Sequence, residues 1–427
     1  MKQELLELLK NEVVEATGCT EPVTVAYAAS LIGKKITDFS KIARVDVCVD
    51  AALYKNGLRV GIPGIKERGL EIAAALGLVI AKPEQGLRVL ENISSGELEQ
   101  AKGLTASGGV SVKVVVNCSR LFVEVFVTMA DGKNYKAVIT DRHQNLTKLE
   151  EGYSLDRDVA PEAGAGGAAP VIQKYNIKEL LDFTDNVSVN DIEFLYAGIE
   201  RNMKLADEGM RISGGIGSAY AEIMDEGILN DHMVTRAEML CSAASESRMA
   251  GSRLPAMTSA GSGNHGITLF LTIAAVADKS GTDREKLLRA LAFGNLITVY
   301  IKSFTGTLSA MCGCGVAAGI GACAGIVYML GGSEDDIFRS MVNMVGSITG
   351  LICDGGKEGC AYKIALSSGW AVKAAIMAMK HVSIDVNNGI LSLDFRRLFE
   401  NLGYVCVTGM SCANSAIIDI MGETDRA

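Results

Sequence analysis

Leu121-Phe122-Val123-Glu124-Val125-Phe126-Val127 is a run of branched and aromatic residues, and it reads as a β-strand. Behind it Asp131-Gly132 is a tight-turn signal, and Tyr135-Lys136-Ala137-Val138-Ile139 supplies the returning strand. An antiparallel hairpin is therefore expected here. Upstream, Val45, Val47 and Val49 alternate with polar or small residues, as do Val112, Val114 and Val116, which is the period of a half-buried strand. Helical stretches near 66–80 and 83–92 separate these strands. Residues 36–155 are thus expected to form an α+β domain around an antiparallel sheet.

On either side the pattern changes. Residues 1–16 and 21–32 read as two helices split at Gly18-Cys19-Thr20, with Thr20 placed to cap the second and Pro22 in its first turn. This segment, 1–35, is expected to pack on the C-terminal part of the chain. Downstream, the run from Ala160 to Pro170 has the composition of a flexible connection, giving a Gly/Ala/Pro linker over 156–175. Beyond it, 176–427 reads as an all-helical domain. Capping-box spacings at Asn190/Glu193, Thr235/Glu238 and Thr282/Glu285 mark helix starts, and Ser333 precedes an acidic first turn.

The 427 residues carry a net charge of −9, with 48% hydrophobic and 21% charged residues. That is a globular composition, and the acidity argues against nucleic acid as a partner. Met1 to Leu6 starts an amphipathic helix without the apolar core of a signal peptide. A cytoplasmic protein is expected, with its eleven cysteines reduced and available for metals or chemistry. No charge interrupts the chain between Lys302 and Glu334, a length that could span a bilayer. Its many glycines, and the lack of a tryptophan belt or basic flank, favour buried packing over a membrane carrier; fractionation without detergent separates the two. Apolar glycine-rich helices are compatible with a homodimer.

Cys312, Cys353 and Cys360 sit in glycine-rich, nearly charge-free sequence, with Cys19 far upstream. Thiolates gathered by a folded chain select zinc, copper(I) or iron–sulfur clusters. Cys312 and Cys314 cannot face one metal from a regular helix, where residues two apart diverge by about 200°. Asp354-Gly355-Gly356 argues for a loop between Cys353 and Cys360, one that lets backbone approach a cofactor closely. Cys19 lies just ahead of a helix start, where a thiol pKa falls; it reads as a base or a removable fourth ligand. The remaining cysteines read as packing residues.

At these residues the chain resembles the bacterial and archaeal L-cysteine desulfidases, relatives of the iron–sulfur L-serine dehydratase alpha chain. The likeness runs almost end to end. It rests on Gly18-Cys19-Thr20-Glu21-Pro22, Asn56 to Gly64, Ser259 to Gly266, Met311-Cys312-Gly313-Cys314-Gly315 and Cys353 to Ala361. The resemblance implies a [4Fe–4S] cluster on three cysteines and β-elimination of L-cysteine to pyruvate, ammonia and hydrogen sulfide without pyridoxal phosphate. By position Cys353 and Cys360 match the downstream ligands, Cys312 matches the upstream ligand better than Cys314, and Cys19 matches the proton acceptor. Asp141-Arg142-His143-Gln144-Asn145 departs from the His-Thr-Asn run of relatives at Gln144, which weakens a substrate contact there.

Around that core, Ser262, Asn264 and His265 are candidate substrate contacts in a loop able to form an anion nest, and His143 is a fourth from the sheet domain. Lys302, Lys357 and Lys363 could form Schiff bases, but none stands in a phosphate-cradling context. Two other functions remain open. One keeps the chemistry and changes the leaving group, giving an L-serine or L-threonine dehydratase. The other is a cluster-binding redox sensor with a fourth ligand from Cys314 or Cys19.

Overall fold

A computed structural model describes residues 2–106, 108–115, 118, 121–152, 170–386 and 388–424. The linker expected at 156–175 lies outside the described residues up to 169. The elements of the first part are α1 (Lys2–Glu12), β1 (Glu15–Ala16), α2 (Thr20–Gly33), β2 (Ile42–Asp50), α3 (Ala51–Gly57), α4 (Leu70–Ile80), α5 (Ser95–Ala106), β3 (Val110–Val115), β4 (Phe122–Met129), β5 (Asn134–Thr140) and β6 (Leu146–Glu151). The second part holds α6 (Ile177–Asn186), α7 (Val189–Ile192), α8 (Tyr196–Gly209), α9 (Ile216–Asp225), α10 (Met233–Met249), β7 (Ala256–Met257), α11 (Gly263–Ser280), α12 (Arg284–Thr305), α13 (Ala317–Met329), α14 (Glu334–Ile348), α15 (Cys360–Met379), α16 (Phe395–Tyr404) and α17 (Ala413–Thr424). The class is α+β, as the sequence predicts.

The sheet order is β3-β2-β4-β5-β6. Antiparallel pairing holds for β2/β4, β4/β5 and β5/β6, but β3 runs parallel to β2, pairing Val47 with Val112. This corrects the expectation of a purely antiparallel sheet. The chain leaves β2 through α3, α4 and α5 and re-enters alongside it, and a helical crossover of that kind returns a strand in the same direction. α2 and α4 cover the sheet. They meet backbone to backbone: a Cβ on Gly33 would lie 2.1 Å from the Leu78 carbonyl oxygen, and one on Gly77 2.1 Å from that of Ala26.

Two large cores result. Val23, Val25, Ile32, Val47, Leu76, Val125 and Ile139 belong to the sheet core. The other core is built by the helices of the second part, with α1 contributing Leu5, Leu6 and Leu9. Residues 1–35 therefore do not act as one segment. α2 joins the sheet core because all but two of its residues are buried, and the expectation that it lies on the helical domain is corrected.

Helix starts follow turn geometry more than residue spacing. Ser333 and Asp336 cap each other reciprocally at the start of α14, and Asn176 with Glu179 does the same for α6. At α12, however, Asp283 and not Thr282 accepts the Lys286 amide, and at α10 His232 takes the cap position expected of Thr235. The charge-free segment after Lys302 is not one helix. It breaks into the end of α12, a loop, and the buried 13-residue α13. α12 itself has 22 residues and is apolar enough to cross a bilayer, yet 78% of its most apolar window is buried against the rest of the chain.

Candidate active site

The loops before α13 and α15 are stitched together by a short antiparallel bridge, Met311 opposite Ile352. The Cys312 amide donates to the Leu351 carbonyl at 2.8 Å, and the Cys353 amide to Ala310 at 2.7 Å. Side chains alternate along such a pair, so Cys312 and Cys353 leave on the face opposite Met311 and Ile352. Cys314 lies in a turn ahead of α13, not in a helix, so the divergence expected of two helical cysteines does not apply. The neighbouring Cys314 thiol lowers the Cys312 pKa, and Cys312 in turn raises that of Cys314. Cys360 is the first residue of α15 and its thiol reaches the Gly355 carbonyl at 3.6 Å. Burial pushes Cys360 up to about 12, and the charges of Cys312, Cys353 and Cys19 add to the effect.

Cys19 stands at the N-cap of α2, one residue before Thr20, which was the expected cap. It packs with Val60, Met249 and Cys360 in a small cluster between the two large cores. The lowered pKa predicted for it is overturned: burial drives the thiol up to about 12, outweighing the Arg248 guanidinium beside it. Arg248, on α10 and 4% exposed, donates to the Gly18 carbonyl at 2.5 Å and the Asn264 Oδ1 at 2.9 Å, with Nη1 3.9 Å from the Cys19 sulfur.

A second set of side chains ties the sheet body to the cysteine loops. The Cys353 thiol reaches Asn56 Oδ1 at 3.4 Å, Asn56 Nδ2 donates to Glu21 Oε1 at 3.1 Å, and the Gly356 amide donates to the Asn56 carbonyl. Lys55, 1% exposed, donates to the Cys353 carbonyl at 2.5 Å and to Asn414 of α17 at 2.8 Å. Lys363 donates to the Ile352 carbonyl and pairs with Asp354. Glu21 and Asn56 stand in the motifs that carry the resemblance but were given no role there, and Arg248 and Lys55 were not singled out from the sequence. Their partners lie up to 359 residues away.

The candidate substrate contacts divide. The loop of Ser259 turns through Ala260 and Gly261, both with positive φ, into the start of α11. Asn264 is committed to Arg248. His265 Nδ1 meets the Ser259 carbonyl at 3.1 Å, and a Cβ on Gly313 would fall 2.5 Å from its Nε2, so the ring lies against the glycine between two cysteines. Burial, then Lys302, brings His265 down to about 3, and it is neutral. Ser262 is partly buried, and its side chain makes no capping bond. His143 comes from the turn after β5, bonds Thr24 at 2.7 Å and lines a cleft of about 740 Å³. Lys302 lines the same cleft.

Among the described residues no three His, Cys, Asp or Glu side chains are spaced to hold one metal ion. A four-iron cube asks for something else, since each protein thiolate bonds a different iron. The donor set suits it: soft sulfur ligands in a partly buried pocket, glycine loops, and Lys55 and Lys363 to offset negative charge.

Comparison with known proteins bears on this site. A family described as "Serine dehydratase alpha chain" matches residues 84–419. A UPF0597 protein of Clostridium tetani is 38% identical over 98% of this chain and 97% of its own length. Another, from Alkaliphilus metalliredigens, is 39% identical over 100% and 96%, and one from Desulfatibacillum aliphaticivorans is 36% identical over 98% and 97%. The chain belongs to the serine dehydratase alpha chain family. It is thus a serine dehydratase-like protein of a lyase family, for which a small amino acid is a fitting substrate.

Proposed function

We propose that the chain catalyses the β-elimination of L-cysteine to pyruvate, ammonia and hydrogen sulfide, with Cys312, Cys353 and Cys360 holding a [4Fe–4S] cluster and Cys19 acting as the base. The observation that carries this reading is the convergence of Cys19 with Cys353, Cys360 and Cys312 from three separate segments, among buried cations and without a disulfide. When bound, the cluster supplies a Lewis-acid iron that no protein thiolate occupies, able to take the substrate's carboxylate or sulfur. Every other part of the chemistry falls to side chains.

Cys19 removes the α-proton. The C–H electron pair becomes the Cα=Cβ bond, and the Cβ–S bond breaks with its pair leaving on sulfur. The aminoacrylate released tautomerises and hydrolyses to pyruvate and ammonia. A buried thiol with a raised pKa is a strong base once deprotonated, and Arg248 is the group positioned to hold that thiolate. Arg248 also fixes the Gly18 carbonyl, so the base is held where the proton must be taken. His265 supplies a polar group beside the Gly313 loop for the leaving atom or the amino group, and Ser262 offers an uncommitted hydroxyl at the start of α11. His143 faces the cleft from the other body.

The family description favours a second reading in which L-serine loses water by the same steps. Anaerobic purification with iron and sulfide analysis, then pyruvate and sulfide assays on L-cysteine and L-serine side by side, tests both. Faster turnover of L-cysteine is expected. Equal turnover or a preference for L-serine replaces the first reading with the second, and protein without iron or pyruvate formation removes both.

A further inference from the structure

We propose that Lys302 is the cation that receives the substrate's carboxylate, at the inner end of the cleft between α1, the turn of 141–145 and the loop of 258–261. The kind of ligand rests on the function proposed above; the site itself rests on the following geometry.

Lys302 sits in the last turn of α12 and is 9% exposed. An ammonium has three donors, and one of them meets the Thr307 carbonyl at 3.2 Å. No carboxylate of the described residues pairs with it. A cation buried in that state is costly unless opposite charge joins it, and the only groups of this chain that act on it so are the Cys406, Cys314, Cys353 and Cys312 thiols when ionised, none of them hydrogen-bonded to it among the described residues. The other cations near the cysteines hold protein partners: Lys55 binds Cys353 and Asn414, Lys363 binds Asp354 and Ile352, and Arg248 binds Gly18 and Asn264 with only its Nε left unpaired. Lys302 is the one of these four that keeps most of its donors free.

Its place is also the right one. It lines the cleft of about 740 Å³ together with His143, Thr258, Gly261 and Thr307. On its inner side a Cβ on Gly313 would lie 3.3 Å from its Nζ. One side chain thus touches both the open cleft and the glycine between Cys312 and Cys314, and none of the cysteines lines that cleft. Within the same loop the Ser259 hydroxyl is fully buried with no hydrogen-bond partner, behind Thr258, Ala260 and Gly261, which line the cleft while Ser259 does not. A zwitterionic amino acid entering with its carboxylate on Lys302 would turn its side chain toward the cysteine loops.

The test uses the anaerobically purified, cluster-loaded protein titrated calorimetrically with L-alanine and L-alaninamide. Neither has a β-leaving group, so the heat is that of binding alone. Wild type is expected to prefer the acid by about 10- to 100-fold, the worth of one charge-assisted contact. Lys302→Met should lose that preference with its visible absorbance and circular dichroism unchanged, and Lys302→Arg should keep most of it. A wild type that binds neither compound or does not distinguish them, or a Lys302→Met protein that still prefers the acid, overturns the proposal. Should Lys302→Met fail to fold, loss of the preference in Lys302→Gln supports the proposal and its persistence overturns it. Acid binding that depends on Lys302 in a protein making no pyruvate keeps this inference and removes the function proposed above.

Discussion

Arg248 grips both ends of the turn that carries Cys19: its Nη2 bonds the Gly18 carbonyl at 2.5 Å while its Nη1 faces the Cys19 sulfur at 3.9 Å. Only a planar fork can do both, and a lysine offers a point charge instead. Arg248→Lys is expected to lower kcat on L-cysteine by about 100-fold, the effect of misplacing a reacting group by an ångström, while iron content stays at the wild-type level. Paired iron and pyruvate assays check it; wild-type turnover would mean that Cys19 needs no such grip.

Lys55→Met removes the bonds to the Cys353 carbonyl and to Asn414. Bonds from a charged donor contribute about 1.5–3 kcal/mol each, so a loss of that order in stability is expected by urea unfolding. The loop of Cys353 should loosen as well, with less iron retained on gel filtration. Asn414→Ala should show the smaller part of both effects.

Asp50 provides a pH dependence away from the cysteines. Burial pushes its carboxyl up to about 6, against the bonds it accepts from the Leu53, Phe122 and Ala52 amides. An acid whose folded pKa is raised holds its proton in the native state after the unfolded chain has lost it. Its ionisation therefore reduces stability as pH climbs from about 4 to about 6, by roughly 3 kcal/mol in full. Asp50→Asn should flatten that part of the profile. Urea midpoints for both proteins at pH 4.5 and pH 7 measure it, and parallel profiles would show that Asp50 is ionised throughout.

Gly77→Ala tests the close packing of the helices over the sheet. The added methyl would meet the Ala26 carbonyl at 2.1 Å, so α2 and α4 must part. Overpacking of this kind costs about 1–3 kcal/mol. Because α2 carries the Cys19 turn at its start, turnover should fall along with the midpoint of unfolding.

Strands and cysteine loops were legible in the sequence because their signals are local. Alternation marks β2 and β4, and glycines beside cysteines mark the loops of 312–315 and 353–360. The strand β3 was legible but its parallel direction was not, since direction depends on a crossover and not on the strand's own residues. A fifth strand, β6, has a mostly exposed face and little apolar alternation to announce it. The roles of Lys55, Asn56 and Arg248 come from partners 298, 297 and 230 positions away, which no local pattern reveals. Cys19 was placed correctly at a helix start, but its acidity was misjudged, because local sequence does not reveal how thoroughly a neighbouring body will shield it from water.

The cysteine pocket lies at the seam of two cores, with Cys19 and Lys55 supplied by the first fifth of the chain and Cys312, Cys353 and Cys360 by the last third. During synthesis the early half must wait for the late one. On the proposed reading, inorganic iron and sulfide can settle only after translation is nearly finished, which makes maturation a post-assembly event and leaves a truncated product unable to sequester the cofactor.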